Sequence, residues 1–341
     1  MAKFNNAIEI VSGANLVADI GGTHCNLGLV FPDRQGVQYI QKLKVADFQD
    51  VVAAVNSYLT AISIQNKLPS LRVRKACFAA ATLIDGDQIE FTNSPWSFSI
   101  ERAQVALNLD HLLVLNDFAA LAMSLPSLSS DDLSMISSHG YDAIKQEGTL
   151  AVVGPGTGLG VAGLVKATSQ WVPLSSEGGH TSLSASNAFE WDLIKLVQTR
   201  HEHVSAERLL SGMGMPLLYQ SIAQLNGAEV SQLTSAEIIA RGLAKTDVIA
   251  DQTIDVFCAM LGGFCGNVVL TLGATAGLFV GGGIIPRLGE RFFESSFRQR
   301  FEAKGRFAAL LTNVPLALIT HPYPALNGCA LAINQYSYKE H

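Results

Sequence analysis

Apolar and polar positions alternate with a period of two along several short stretches of this chain and recur with a helical period along others. Residues 16–30 and 38–45 read as strands, 48–62 as a helix with Asp47 as N-cap, and 75–79 as a strand. Residues 100–107 read as a helix opening after Ser99, and 111–115 as a buried strand. This alternation predicts a mixed sheet with helices packed on it, and it puts Asn116-Asp117 at a strand's carboxyl end, where open α/β sheets bind ligands. Residues 124–148, dense in Ser, Asp and Pro, read as a crossover between halves. The pattern restarts at Thr149, turns mainly helical over 187–272, and returns to strand at 317–320 before a helix from Ala325 onward. Residues 256–285 carry no charge and exceed the ~20 residues that span a bilayer. Glycines at 262, 263, 266, 273, 277 and 281–283 divide that stretch into an apolar helix ending near Gly273 and a short strand at 278–280. A buried core helix is therefore expected, not a membrane span.

Within this pattern two glycine-rich turns stand at matching places in the two halves. Ala18-Asp19-Ile20-Gly21-Gly22-Thr23 leads on to Gly28-Leu29-Val30, and Val153-Gly154-Pro155-Gly156-Thr157-Gly158 leads on to Gly163-Leu164-Val165. Each reads as strand, tight turn and strand. Glycines there let backbone N–H groups converge into an anion-binding concavity, so the pair could hold a polyphosphate between two half-molecules. Asp19 in the first copy is matched by Gly154 in the second, which leaves a carboxylate beside only one turn, where it could hold a hydrated Mg²⁺. Two ordinary hairpins would give the same pattern.

Composition narrows the partners. With 341 residues, 48% of them hydrophobic and 15% charged, the chain should bury a large core and divide into two domains. A net charge of −6 with no Lys/Arg-rich block gives no pull toward nucleic acid or an anionic membrane. Phosphate binding must then come from backbone and metal. Five cysteines, Cys25, Cys77, Cys258, Cys265 and Cys329, form no C-x-x-C pair and suggest neither a disulfide framework nor a zinc site, which fits a reducing cytoplasm. The N-terminal residues lack the unbroken apolar run of a signal peptide.

Several motif matches fail on context. Gly158-Leu159-Gly160-Val161-Ala162-Gly163 fits a dinucleotide fingerprint, but the residues that follow are β-prone and not helical. No P-loop or serine-hydrolase elbow occurs. His201-Glu202-His203 with Glu207 resembles a metal cluster, yet adjacent residues cannot all face one ion from a helix, and a solvated helix end is expected. Asn116-Asp117, Glu177-Gly178-Gly179-His180 and Glu207 form a better constellation, because carboxylates and amides bind the paired donor and acceptor of sugar hydroxyls. Each has a plainer alternative: Asp117 as a helix N-cap, Glu177 as a turn residue, Glu207 as an intrahelical ion-pair partner. Asn93 and Trp96 could line a sugar pocket or be a loop amide and a packed indole.

In order along the chain, Asp19-Ile20-Gly21-Gly22-Thr23, Thr92-Asn93-Ser94-Pro95-Trp96, Asn116-Asp117-Phe118, Gly156-Thr157-Gly158, Glu177-Gly178-Gly179-His180, Ala206-Glu207-Arg208 and Gly281-Gly282-Gly283 together resemble the bacterial glucokinases that lack a zinc motif. The resemblance implies a two-domain α/β fold of the actin-like ATPase (ribonuclease H-like) type with an interdomain cleft. A small domain over 1–125 would be joined by a C-terminal helix at about 321–341, with a large domain over 126–320. It also implies ATP, Mg²⁺, glucose, a homodimer and a place in glycolysis. By the same resemblance Asp117 is the general base for the glucose 6-hydroxyl. Asn93, Asn116 and Glu177 bind hydroxyls, and His180 and Glu207 hold the anomeric end. Gly21, Gly22 and Thr23 with Gly156, Thr157 and Gly158 embrace the phosphates, Asp19 reaches Mg²⁺ through water, and Gly281, Gly282 and Gly283 lie near the adenosine. A kinase of mannose or fructose, a sugar-sensing regulator and a chaperone-type ATPase remain as rivals.

Overall fold

The computed structural model describes residues 12–68, 71–91, 94–137, 139–144 and 147–337. The chain divides into two compact units, one formed within Met1–Ser127 together with Tyr323–His341 and the other within Leu128–Pro322.

In the first unit β1 (Ser12–Ile20), β2 (His24–Val30) and β3 (Gln38–Lys44) form an antiparallel meander, followed by α1 (Val51–Gln65), β4 (Arg72–Ala80) and a small hairpin of β5 (Gln88–Glu90) and β6 (Ser97–Ser99). Then come α2 (Ile100–Ala106), β7 (His111–Asn116) and α3 (Asp117–Ser124). The sheet order is β3-β2-β1-β4-β7, with β4 parallel to both β1 and β7. Apolar residues of β1, β4 and α1, among them Leu16, Phe78 and Tyr58, make its core.

The starts of α1 and α2 follow local capping chemistry, with one correction. Ser99 Oγ accepts the Arg102 N–H at 3.1 Å, as expected for α2. α1, however, opens at Val51 and not at 48: Asp50 accepts the Ala53 N–H at 2.7 Å, while Asp47 ends a 3-10 turn. The Phe48 carbonyl is taken by the Trp96 indole N–H at 3.1 Å, which anchors that segment outside the helix. Trp96 is thereby a packed indole, 3% exposed.

The second unit repeats the strand plan. After β8 (Leu133–Met135) come the meander β9 (Thr149–Pro155), β10 (Leu159–Ala167) and β11 (Gln170–Ser176). A helical stretch follows: α4 (Ala188–Gln198), α5 (Ala206–Leu209), α6 (Met215–Leu225), α7 (Ser235–Leu243) and α8 (Val248–Leu272). Beyond it lie β12 (Gly277–Val280), the short helices α9 (Ile285–Leu288), α10 (Glu290–Phe293), α11 (Phe297–Glu302) and α12 (Ala308–Thr312), and β13 (Leu316–Ile319). The order is β11-β10-β9-β12-β13-β8, so five strands reproduce the order and sense of the first sheet. β8 is the addition, pairing antiparallel with β13 inside what read as a crossover; three residues are too few to show a period.

α8 is long and apolar enough to cross a membrane, but most of it is buried in this unit's core, and Gly273 ends it at φ 64°, a left-handed C-cap. The uncharged stretch is thus a core helix, begun eight residues earlier than its apolar run, at the Asp247 cap. The last helix, α13 (Pro324–Ser337), returns to the first unit and packs on α3 and β4. A methyl group at Gly328 would lie 1.7 Å from the Ala120 carbonyl oxygen, so the helices meet backbone to backbone there.

Candidate active site

β1, β4 and β7 run parallel, and their register aligns Ile20 with Ala80 and Ala80 with Asn116. Asp19 and Asn116-Asp117 therefore share one end of the first sheet. With strands about 4.8 Å apart and β4 between them, their backbones lie roughly 10 Å from each other.

Asp19 faces Asn26 across the β1–β2 pair, and the Asn26 amide donates to Asp19 Oδ2 at 3.2 Å. Enclosure by protein raises the Asp19 pKa, and the Asn26 hydrogen bond opposes that rise. Its partner is neutral, and Asn26 Oδ1 is buried without a hydrogen-bond partner among the described residues. Such a carboxylate is short of positive charge, so the residues present fit a nearby cation. The turn beyond is closed by the Gly21 N–H donating to the His24 carbonyl at 3.0 Å, which leaves Thr23 exposed.

At the start of α3 the N-cap is Asn116, not Asp117. Asn116 Oδ1 accepts from Phe118 N–H at 2.9 Å and Ala119 N–H at 3.2 Å, and its amide donates to the Thr82 carbonyl at 3.1 Å and to Asp117 Oδ1 at 3.0 Å. Asp117 occupies the first helical position, where Oδ1 also accepts the Phe118 N–H at 2.9 Å. The cap holds the carboxylate at a fixed angle on the strand end. Asn93 lies outside the described residues.

In the second unit Gly156, Thr157 and Gly158 join β9 to β10, closed by the Gly156 N–H on the Gly158 carbonyl at 2.8 Å. Gly281 N–H donates to Val153 O at 2.9 Å and Ile284 N–H to Pro155 O at 3.2 Å, which sets Gly281, Gly282 and Gly283 beside that turn. Gly282 has φ +81°, and a methyl there would lie 2.4 Å from Pro155 O. The 3-10 turn of Gly178–His180 follows the exposed Glu177 and packs against Leu159. His180 Nε2 stands 3.5 Å from Glu207 Oε1, and Glu207 Oε2 accepts the Leu159 N–H at 2.8 Å. Glu207 is thus tied across the unit and is not an intrahelical ion-pair partner.

A cavity of about 570 Å³ opens beside His180 and Glu207, with Arg208, Met213 and Leu217 on its walls. The structure joins His180, Glu207 and the glycine turn in one place, with Glu177 adjacent. It also adds two residues that sequence reasoning missed. His203 is exposed, as expected of a solvated helix end, and its Nε2 also stands 2.8 Å from the His180 carbonyl oxygen, which steadies that turn. Asn26 carried no motif; only its register opposite Asp19 reveals it.

The family model described as Glucokinase matches residues 16–336. A glucokinase of Aromatoleum aromaticum is 42% identical over 319 residues, covering 94% of each chain. The crystal structure of a glucokinase from an Antarctic psychrotroph superposes with a TM-score of 0.86 at 34% identity, over 94% of this chain and 99% of that one. A ROK family glucokinase from Streptomyces griseus, in complex with glucose and AMPPNP, shares the fold at 16% identity with a TM-score of 0.62, over 95% of this chain and 100% of that one. With two sheets of one strand plan and a family match over nearly the whole chain, this protein belongs to the glucokinase family.

Proposed function

We propose that this chain transfers the γ-phosphoryl group of ATP to the 6-hydroxyl of glucose, with Asp117 as general base, in a cleft between two units of the actin-like, ribonuclease H-like plan. The observation that carries the reading is the common sheet end of Asp19 and Asn116-Asp117. Asp117 takes the proton of the 6-hydroxyl as the O6–phosphorus bond forms and the bond to the bridging oxygen breaks, leaving ADP. Asn116, giving up its bond to Thr82 O, and Glu177 bind the middle hydroxyls, His180 and Glu207 hold the anomeric end, and Asn93 is a further sugar-binding residue. Gly21, Gly22, Thr23, Gly156, Thr157 and Gly158 hold the phosphates through backbone N–H groups, and Gly281, Gly282 and Gly283 leave room for the adenosine. Asp19 and its partner Asn26 would hold hydrated Mg²⁺, which when bound neutralises phosphate charge. A cytoplasmic homodimer completes the proposal. Steady-state kinetics on a panel of hexoses and donors test it: glucose with ATP should show the highest kcat/KM, and a higher value for mannose or fructose would overturn the substrate assignment.

Asp19→Ala should raise the Mg²⁺ concentration needed for half-maximal rate and weaken nucleotide use, while glucose affinity without nucleotide stays unchanged. An unaltered Mg²⁺ titration would leave Asp19 as a turn residue only.

Glucose should also draw the two units together, since hydroxyl contacts from Asn116-Asp117 and from Glu177, His180 and Glu207 are satisfied jointly only on closure. Small-angle scattering should register compaction on adding glucose. A sugar lacking the 6-hydroxyl should speed an otherwise slow ATP hydrolysis. Unchanged scattering with brisk sugar-independent hydrolysis would favour a plain ATPase.

A further inference from the structure

Glu207 commits its two carboxylate oxygens to different tasks. Oε2 accepts the Leu159 backbone N–H at 2.8 Å, and Leu159 is the first residue of β10 after the Gly156-Thr157-Gly158 turn. Oε1 faces His180 Nε2 at 3.5 Å, too far for a hydrogen bond but open to a bridging hydroxyl. A methyl group at Gly158 would lie 2.4 Å from Oε2, so a side chain there would displace the carboxylate from its present place.

The segment that carries Glu207 grips the same turn at two more points. Gly212 N–H donates to the Gly156 carbonyl at 2.8 Å and Met213 N–H to the Thr157 carbonyl at 3.2 Å. It is itself stiffened, because buried Ser205 Oγ accepts the Arg208 N–H at 3.1 Å and buried Ser211 Oγ accepts the Gly214 N–H at 2.9 Å. A carboxylate is planar and rigid, so a pull on one oxygen turns the other. The glycine turn is thus held by a segment whose one charged contact to it also faces the open cavity beside His180.

We infer that Glu207 is a strut coupling hexose binding to the nucleotide turn: a hydroxyl bridging His180 and Oε1 re-aims Oε2 and, through the Leu159 N–H, sets the shape of the 156–158 turn. The inference rests on the reading that His180 and Glu207 bind the hexose and the turn binds phosphate. Coupling of this kind is reciprocal, each ligand tightening the other by one common factor. A merely structural tie would change stability or both affinities without changing that factor.

The test is a pair of calorimetric titrations, a non-hydrolysable ATP analogue with and without glucose, on the wild type, Glu207→Asp and Gly158→Ala. In the wild type glucose should tighten the analogue by about 5–150-fold. Glu207→Asp is too short to span both partners, and Gly158→Ala pushes the intact carboxylate off Leu159, so in each the factor should fall close to one. The Leu159 amide resonance should move when glucose alone is added to the wild type and stay put in Gly158→Ala. Coupling kept at the wild-type factor while glucose binds more weakly would overturn the strut and leave Glu207 as a sugar ligand. Glucose affinity unchanged in Glu207→Asp would overturn the sugar reading itself. Should Glu207→Asp fail to melt cooperatively, Glu207→Gln takes its place, with a lowered factor expected because a neutral amide makes the weaker bond to Leu159.

Discussion

Asp117→Asn should lower kcat by about 10²–10⁴-fold, the usual contribution of a positioned base, while glucose binds nearly as before. The asparagine carbonyl can still accept the Phe118 and Asn116 N–H groups that now reach Oδ1, so the start of α3 and the angle of the side chain are retained. What is lost is the capacity to take a proton. Calorimetry for glucose affinity and a coupled assay for turnover separate the two effects. A variant keeping more than roughly a tenth of wild-type kcat, well outside that range, would remove Asp117 from the chemistry.

The largest expected loss of stability lies elsewhere in the second unit. Glu190 on α4 is 2% exposed and forms a two-pronged ion pair with Arg300 on α11, with Nη2 to Oε2 at 3.0 Å. Arg300→Met leaves a buried carboxylate without its counter-charge, which costs about 3–5 kcal/mol. For a unit of this size that is a fall in melting temperature of roughly 6–20 °C. The double variant Glu190→Met/Arg300→Met should recover much of the loss but not all. Glu190 also accepts the Ser186 N–H at 2.7 Å and the Asn187 amide at 3.0 Å, and those donors would then lack their acceptor. Thermal melts of the single and double variants decide it; equal melting temperatures for Arg300→Met and wild type would show that the pair is already relieved by solvent.

The structure separates what local chemistry decides from what contact decides. Ser99, Gly273 and the glycines at 156–158 act on backbone a few residues away, so the start of α2, the end of α8 and the β9–β10 turn could be read directly. Asp47 and Asp50 are equally good caps in the sequence. The choice between them falls to Trp96, whose indole holds the Phe48 carbonyl from 48 residues away. The same limit applies to the site. That Asp19, Asn116, Asp117, Glu177, His180 and Glu207 are carboxylates, an amide and an imidazole of the kinds that bind hydroxyls and cations follows from residue type. Which of them cap a helix or brace a turn does not, because those roles are hydrogen bonds between residues distant in sequence: Asn116 to Thr82, His203 to His180, Glu207 to Leu159. Asn26 shows it most simply. Nothing in its surroundings along the chain marks it, and only strand register sets its amide against Asp19. The sequence alone determined the family, the repeated strand–turn–strand and the chemistry on offer. The tertiary structure decided which oxygen of each carboxylate is already engaged, since packing, and not composition, determines which polar groups find partners when water is removed.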